Sequence, residues 1–245
     1  MIRVLPYLFL LSFILPACTP KIVPPPPSAD HYLQEGEGFY ADKRYEDAIA
    51  TWEKVRDTFA SPEKTAHAQF RIGETQFTAE MYPEAAATLE EFIKQHPEHP
   101  RTDEALYLLG LAYYQQRLAS DQDQTAIRNA KVTLETLLRR TPDSPHKDEV
   151  EEILRYGEQV LLESELNVGR FYLRTDHPGA ALLRLEPLTS ADHFTRRDEV
   201  YYLLGKAYFA ANRRDDAVEA FNTLYRLYPK SKYVLKAQKF VEKSF

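Results

Sequence analysis

Small and apolar residues recur along the chain at a spacing that predicts pairs of antiparallel helices. Five of the eight glycines occupy equivalent positions within amphipathic stretches, namely Gly36, Gly73, Gly110, Gly169 and Gly205. Four of them are followed by an alanine twelve residues later, and Gly110 is followed by Ala130 after twenty residues. Small residues at this spacing let two helix backbones approach closely where they cross. We therefore predict an all-α fold built from repeated helical hairpins.

Larger apolar residues and prolines complete each repeat. The space beside the five glycines is expected to be filled by Trp52, Leu89, Leu134, Leu185 and Phe221. The last repeat matches the tetratricopeptide repeat (TPR) pattern most closely, at Tyr201, Leu204, Gly205, Tyr208, Ala217, Phe221 and Pro229. Proline ends the second helix because it lacks an N–H and clashes with the preceding turn. The predicted fold is a TPR solenoid of five helix-turn-helix repeats.

Two segments depart from the regular repeat. The segment from Arg117 to Arg128 adds eight residues to the turn of the third repeat. The segment from His146 to Leu173 has no proline and keeps an apolar face, which predicts one helix of about 40 Å joining repeats three and four. We therefore predict an N-terminal half of three repeats over residues 30–145. The long helix and a C-terminal half of two repeats follow over residues 146–245.

The first residues predict export and a lipid anchor. Residues 1–17 carry Arg3 and an apolar stretch too short to span a bilayer, as in a secretory signal peptide. Cys18 is the only cysteine, and its context resembles the bacterial lipobox, in which the cysteine is lipidated; the alternative is ordinary cleavage that removes it. Residues 18–29 then form a proline-rich linker that favours extended conformation. Thr19 follows the cysteine, and lipoproteins that resemble this one in having no aspartate there are usually sorted to the outer membrane. We therefore expect a lipid-anchored location on the periplasmic face of the outer membrane.

Composition argues against several classes of protein. The formal net charge is −6 and no basic stripe is present, which disfavours binding to nucleic acid. His96 and His99 flank Pro97, which interrupts any helix that could present both imidazoles to a metal. Phosphate-binding loops and nucleophile motifs do not occur in the sequence. We therefore expect no enzymatic activity, no cofactor and no metal.

Aromatic residues predict a binding surface. In a TPR array the first helix of each repeat lines the concave face, and aromatic residues occupy groove-facing positions in the first three repeats. These five residues, called here the aromatic ladder, are Tyr40, Phe70, Phe77, Tyr107 and Tyr114. Burial between repeats is the alternative, most clearly for Phe70 and Phe77, whereas the tyrosine hydroxyls favour partial exposure. The ladder predicts a groove for an extended peptide with apolar or aromatic side chains.

The order of these parts resembles the BamD family, the TPR lipoproteins of the β-barrel assembly machinery. The most specific segment runs from Leu161 to Tyr172 and is followed by Ala180 to Arg184, similar to the family's LAxHExxVGxFY and AAxxR patterns. The resemblance implies a non-catalytic scaffold whose N-terminal repeats bind the C-terminal signals of unfolded outer-membrane proteins. It also implies that the C-terminal repeats dock the POTRA domain of a BamA-type barrel protein, together with other assembly lipoproteins. Arg184 is then a candidate contact, although an ordinary surface arginine explains it equally well.

Two other functions remain open from the sequence. One is a TPR lipoprotein of a different envelope machine, such as a type IV pilus pilotin, whose arrays are regular and lack the long linking helix. The other is a peptidoglycan-associated coordinator, which shares the Pro-x-Ser repeat ends found at Pro142 and Pro229. That class carries an N-terminal coiled coil, which this sequence lacks.

Overall fold

The computed structural model describes residues 26–244, a range that contains α-helices, one short 3₁₀ helix and no strand. The helices are α1 (Ala29–Ala41), α2 (Tyr45–Thr58), α3 (Pro62–Thr78), α4 (Tyr82–Gln95), α5 (Thr102–Gln115), α6 (Thr125–Arg140), α7 (Lys147–Arg174), α8 (Pro178–Leu185), α9 (Arg197–Ala210), α10 (Arg214–Leu227) and α11 (Lys232–Ser244). The 3₁₀ helix, Glu186–Ser190, continues directly from α8. The all-α prediction is confirmed.

The helices form five antiparallel hairpins that stack along the chain. The pairs are α1 with α2, α3 with α4, α5 with α6, the end of α7 with α8, and α9 with α10. Apolar clusters fill the space between successive hairpins, so that Trp52 of the first hairpin packs in one cluster with Ile72 of the second. Helix α11 covers the last hairpin through Tyr233 and Ala237. The core is therefore built between neighbours, as in a solenoid.

The five glycines lie where the two helices of each hairpin cross. A Cβ atom placed on any of them would come within 3.0 Å of the large residue predicted to face it. For Gly36 that residue is Trp52, and for Gly205 it is Phe221. By contrast, a Cβ on Gly38 or Gly179 would meet no atom within 4 Å. Close contact between the helices therefore requires glycine at the crossing, and all five predicted pairs are confirmed.

The turns within the hairpins follow one pattern with one exception. Three-residue turns join four of the five hairpins, and their middle residues adopt a left-handed conformation with φ near +60°: Lys43, Glu80, Asp176 and Asn212. The third hairpin instead has a nine-residue loop, residues 116–124. The sequence analysis extended this insertion to Arg128, which was wrong because α6 already begins at Thr125. Six of the eight extra residues therefore lengthen the loop, and two lengthen the helix. The loop rests on α7, where Asn167 donates a hydrogen bond to the Ser120 hydroxyl at 3.3 Å.

Helix α7 is the predicted long helix. Its 28 residues span about 42 Å at 1.5 Å per residue. Val150 and Ile153 near its start pack with Leu134 of the third hairpin, whereas Leu166 near its end packs with Leu185 of the fourth. One continuous helix therefore contributes to the cores on both sides of the junction. The division into two domains at residue 145 stays a prediction.

Candidate functional site and family

The structure corrects one member of the aromatic ladder. Phe70 is completely buried, with its ring 5.6 Å from that of Phe92 and 4.0 Å below the guanidinium of Arg101. It belongs to the cluster that α3, α4 and α5 form between the second and third hairpins. The expectation that Phe70 lines a groove is therefore wrong: its position faces the adjoining hairpin, and burying its ring there removes a large apolar surface from water.

The other members of the ladder are half-buried and bridge neighbouring helices. Tyr40 of α1 lies 4.5 Å from the guanidinium of Arg71, and its hydroxyl approaches that of Thr78 at 3.4 Å, both on α3. Phe77 packs edge-on against Tyr82 at 5.6 Å. These rings hold the hairpins together and leave only part of their surface for a ligand.

The two members of the aromatic ladder on α5, Tyr107 and Tyr114, face the first half of α7. Tyr107 stacks on His146 at 3.7 Å and donates a hydrogen bond to Glu149 at 2.7 Å. Burial and the adjacent Glu149 carboxylate raise the pKa of Tyr107 well above its usual value, so the phenol remains protonated. Tyr114 meets Tyr156 edge-on at 5.7 Å. Tyr114 of the ladder therefore has an aromatic neighbour, Tyr156, on α7.

A cleft opens between α5 and α7 beside Tyr114. It encloses about 310 Å³ and is lined by Leu111, Tyr114, Gln115, Glu149, Glu152, Ile153 and Tyr156. Tyr156 is 45% exposed there. The sequence analysis missed this residue, although its spacing of three from Ile153 places it at the edge of the apolar face of α7. Tyr114, a predicted groove residue, and Tyr156 therefore line the same cleft.

A buried arginine organises the first two hairpins. The Arg71 side chain pairs with both oxygens of Glu37 at 2.6 and 2.7 Å and also with Glu74, while its guanidinium lies 4.8 Å from the Trp52 ring. Burial alone would lower the pKa of Arg71, but the hydrogen bonds to Glu37 and the charge of Glu74 raise it. The network ties α1 to α3, and we call it the Arg71 network.

A buried carboxylate organises the last two hairpins. Glu199 of α9 accepts hydrogen bonds from Arg170 of α7 at 2.6 and 2.8 Å and from Arg196 at 2.6 Å. Burial alone would raise the pKa of Glu199, but hydrogen bonds from Tyr233, Arg170 and Arg196 lower it. This Glu199 network connects α7, α9 and α11. Sequence reasoning missed both networks because each central residue looks like an ordinary charged residue on a helix surface.

Arg184 lies on the outer surface of α8. Its guanidinium pairs with Glu165 of α7 at 3.1 Å, and about half of its side chain is exposed. The neighbouring Leu183 is 75% exposed. An exposed arginine beside an exposed leucine is accessible to a partner, but nothing in the fold requires one. Its docking role stays a prediction.

Other predicted features are placed as follows. Cys18 and residues 18–25 of the linker lie outside the described residues. Within residues 26–244 no group of three or more histidine, cysteine, aspartate or glutamate side chains could hold a metal ion. No helix in that same range is long and apolar enough to cross a membrane.

Comparison with known proteins decides the family. A sequence model of the YfiO family, described as outer membrane lipoproteins, matches residues 27–195. The chain belongs to this family. The resemblance to BamD proteins is thereby confirmed, and a separate tetratricopeptide repeat model matches residues 199–231, which hold the fifth hairpin. Members of the family are associated with the outer membrane.

Several relatives have names that state a function. The chain is 27% identical to an outer membrane protein assembly factor BamD of Rickettsia prowazekii, over 82% of this chain and 80% of the relative. It is 24% identical to the protein of the same name from Neisseria gonorrhoeae, over 86% and 83%. A third BamD, from Pasteurella multocida, is 24% identical over 87% of this chain and 86% of its own length. The similarity therefore extends along nearly the whole chain in each case.

Proposed function

We propose that this chain is a non-catalytic scaffold for the assembly of outer membrane proteins. The observation that carries the proposal is its membership of the YfiO family together with whole-length similarity to proteins named BamD assembly factors. Neither a pilus pilotin nor a peptidoglycan-associated coordinator is favoured by these relatives. The family therefore selects among the functions that the repeat array alone leaves open.

The placement of the charged groups supports a scaffold. Arg71 and Glu199, the buried charges with shifted pKa values, bind oppositely charged residues of neighbouring helices. Each is saturated by structural partners, so neither is poised to exchange a proton with a substrate. A solenoid stiffened in this way presents an extended surface of fixed shape, which suits the binding of proteins.

The proposed partners are a BamA-type barrel protein, other assembly lipoproteins and unfolded outer-membrane proteins. Arg184 with Leu183 offers a charged and an apolar contact on α8 for the POTRA domain of the barrel protein. The exposed edges of Tyr40, Phe77, Tyr107 and Tyr114 offer aromatic contacts for the C-terminal signals of unfolded barrels. Aromatic rings and arginine are enriched where proteins bind one another.

Recovery of partners from the envelope tests the assembly role. The tagged full chain, extracted in mild detergent, should co-purify with a barrel protein that carries POTRA domains, identified by mass spectrometry. An Arg184→Ala variant should recover less of that protein, whereas Arg139→Ala, which removes an exposed arginine of α6, should recover the normal amount. Recovery of pilus or cell-wall proteins in place of the barrel protein would overturn the proposal.

The proposed location is the periplasmic face of the outer membrane, with Cys18 lipidated as the anchor. Two or more acyl chains are needed for stable anchoring, which a lipoprotein cysteine supplies. Mass spectrometry of the mature amino terminus should find an acylated Cys18, and Cys18→Ser should release the protein from washed membranes. An unmodified mature amino terminus beyond residue 18 would contradict the anchor.

A further inference from the structure

A side-chain cap recurs where one hairpin ends and the next helix begins. In two places a serine lies two residues after a proline and accepts a hydrogen bond from a backbone N–H two residues farther on. Ser144 accepts from His146 at 3.3 Å, and Ser231 accepts from Tyr233 at 3.1 Å. The helices that begin there are α7 and α11. Each serine oxygen therefore satisfies a backbone donor that the first turn of a helix leaves free.

The second hairpin has a histidine in the equivalent position. His99 lies two residues after Pro97, and its Nδ1 atom accepts a hydrogen bond from the Arg101 N–H at 3.1 Å. An imidazole nitrogen accepts a hydrogen bond only while it carries no proton, whereas a serine hydroxyl accepts one whatever the pH. The start of α5 is therefore held by a cap that titrates, and the matching caps at α7 and α11 do not titrate.

The surroundings of His99 disfavour a second proton on its ring. Charged and titratable groups act on it from three elements: Glu63 and His67 of α3, His96 at the end of α4, and Arg101 at the start of α5. Of these, Glu63 alone favours the cation. Burial, followed by the charges of His96, His67 and Arg101, lowers the pKa of His99 below its ordinary value of 6.5. A protonated His99 would also face the positive end of the α5 dipole.

The capped segment also fixes the core between the second and third hairpins. The His99 ring packs edge-on against Phe92 at 5.3 Å, and Phe92 is completely buried beside Phe70. Arg101, whose N–H donates to His99, lies 4.0 Å from the centre of the Phe70 ring and pairs with Glu74 of α3 at 3.7 Å. Loss of the cap therefore frees the residue that covers one buried ring and links α3 to α5.

We propose that His99 is an acid-sensitive cap between the second and third hairpins, which releases the start of α5 when its Nδ1 atom binds a proton. Protonation turns Nδ1 into a donor that faces the Arg101 N–H, so two donors oppose each other where a hydrogen bond stood. The stabilisation is present at neutral pH and is lost as the pH falls from 6.5 through the lower, folded-state pKa of His99. The array then keeps its hairpins but loosens at this joint.

Hydrogen exchange of the full chain in detergent, measured by mass spectrometry at about pH 7.5 and about pH 5, tests the cap. The readout is the protection factor of a peptide covering residues 97–105, corrected for the intrinsic exchange rate at each pH. In the wild type this protection should fall about fivefold or more at the lower pH, as expected for loss of a helix cap. His99→Ser, which supplies the acceptor found in the two matching caps, should show no such fall.

Three further variants make the result specific. His99→Ala removes the acceptor and should show low protection at both pH values. His99→Asn, whose side chain also accepts from a backbone N–H two residues on, provides a second cap that does not titrate, in case serine packs poorly beside Phe92. His193→Ser, the same change at an exposed histidine before α9, should behave as the wild type does.

An NMR titration of the His99 ring supplies a second readout, with an expected midpoint below 6.5. A midpoint at or above that value, or equal wild-type protection at both pH values, would overturn the proposal. The same holds if His99→Ser and His99→Asn lose as much protection in acid as the wild type, or if His99→Ala keeps full protection near neutral pH. The scaffold role is unaffected by each of these outcomes, because the measurements require no partner.

Discussion

The two ends of the solenoid solve the same structural problem with opposite charges. In both, a charged residue buried between first helices links successive hairpins: Arg71 near the N-terminus and Glu199 near the C-terminus. The carboxylate partners of Arg71 include Glu37, which is 47% exposed, and the cation also packs against the faces of Tyr40 and Trp52. Glu199 depends on hydrogen bonds from two arginines and Tyr233.

This difference indicates where each end is vulnerable. A guanidinium can be stabilised by aromatic faces as well as by carboxylates, so the N-terminal network has two kinds of support. A buried carboxylate has only its hydrogen-bond donors. Removing the central charge at the C-terminal end therefore leaves two partly buried cations close together. Its removal at the N-terminal end leaves Glu37, which is about half exposed to water, and Glu74, which keeps Arg101 as a partner at 3.7 Å.

The largest effect is expected at the helix crossings, which the two ends share. Gly36→Ala and Gly205→Ala should each lower the free energy of unfolding by about 3 kcal/mol, because the new methyl group overlaps Trp52 or Phe221. Gly38→Ala, which meets open space on α1, should be neutral or stabilising. Chemical denaturation measures all three. A large effect at only one of the two crossings would show that the hairpins do not share this packing.

Removal of the Glu199 charge should be the next most damaging change. Glu199→Gln keeps the size of the side chain but leaves Arg170 and Arg196 without their anion, and should cost about 2–3 kcal/mol. Denaturation of the variant beside the wild type measures the cost. A loss below about 0.5 kcal/mol, typical of an exposed ion pair, would contradict the structural role of this carboxylate.

The corresponding change at the N-terminal end should be milder. Arg71→Met keeps an apolar side chain against Tyr40 and Trp52 and frees Glu37 to water, so we expect a cost of about 1–2 kcal/mol. A smaller loss of unfolding free energy for Arg71→Met than for Glu199→Gln in the same assay would support the proposed difference between the two ends. A larger loss for Arg71→Met would reverse it.

Acid should weaken the C-terminal network. The folded protein lowers the pKa of Glu199 below its ordinary value of 4.5, so this group stabilises the fold above that pH. Its contribution is lost as the pH falls through the lower, folded-state pKa. Unfolding free energies between about pH 7 and pH 3 should therefore fall less steeply for Glu199→Gln than for the wild type. Parallel curves for the two proteins would remove Glu199 as a source of acid sensitivity.

The smallest stability effect is expected on α8. Arg184 pairs with Glu165 at the surface, so Arg184→Ala should change the free energy of unfolding by less than about 0.5 kcal/mol. Unaltered stability would make any loss of partner binding by this variant a direct effect on the contact surface. A destabilisation near that of Arg71→Met would instead place Arg184 among the residues that hold the ends of the solenoid together.

The sequence predicts the backbone better than the binding surface. Each glycine and the large residue opposite it could be paired by spacing alone, and the absence of proline predicted α7, because both depend on local rules of helix geometry. Phe70 could not be assigned in this way, since burial depends on how adjacent hairpins meet. The Arg71 and Glu199 networks were missed for a related reason: the partners that link each one to the neighbouring hairpin, Glu37 and Arg170, lie 34 and 29 residues away in sequence, beyond any helical period.

The central claim, that the scaffold docks a barrel-assembly partner through its C-terminal repeats, is tested most directly by crosslinking in the envelope. A photoreactive residue in place of Leu183 should form an adduct with the POTRA-bearing barrel protein. The same residue in place of Val132, which is 63% exposed on α6, should not. Adduct formation from position 183 alone is the predicted result. Adducts to that protein from position 132 only, or from neither position, would contradict the claim.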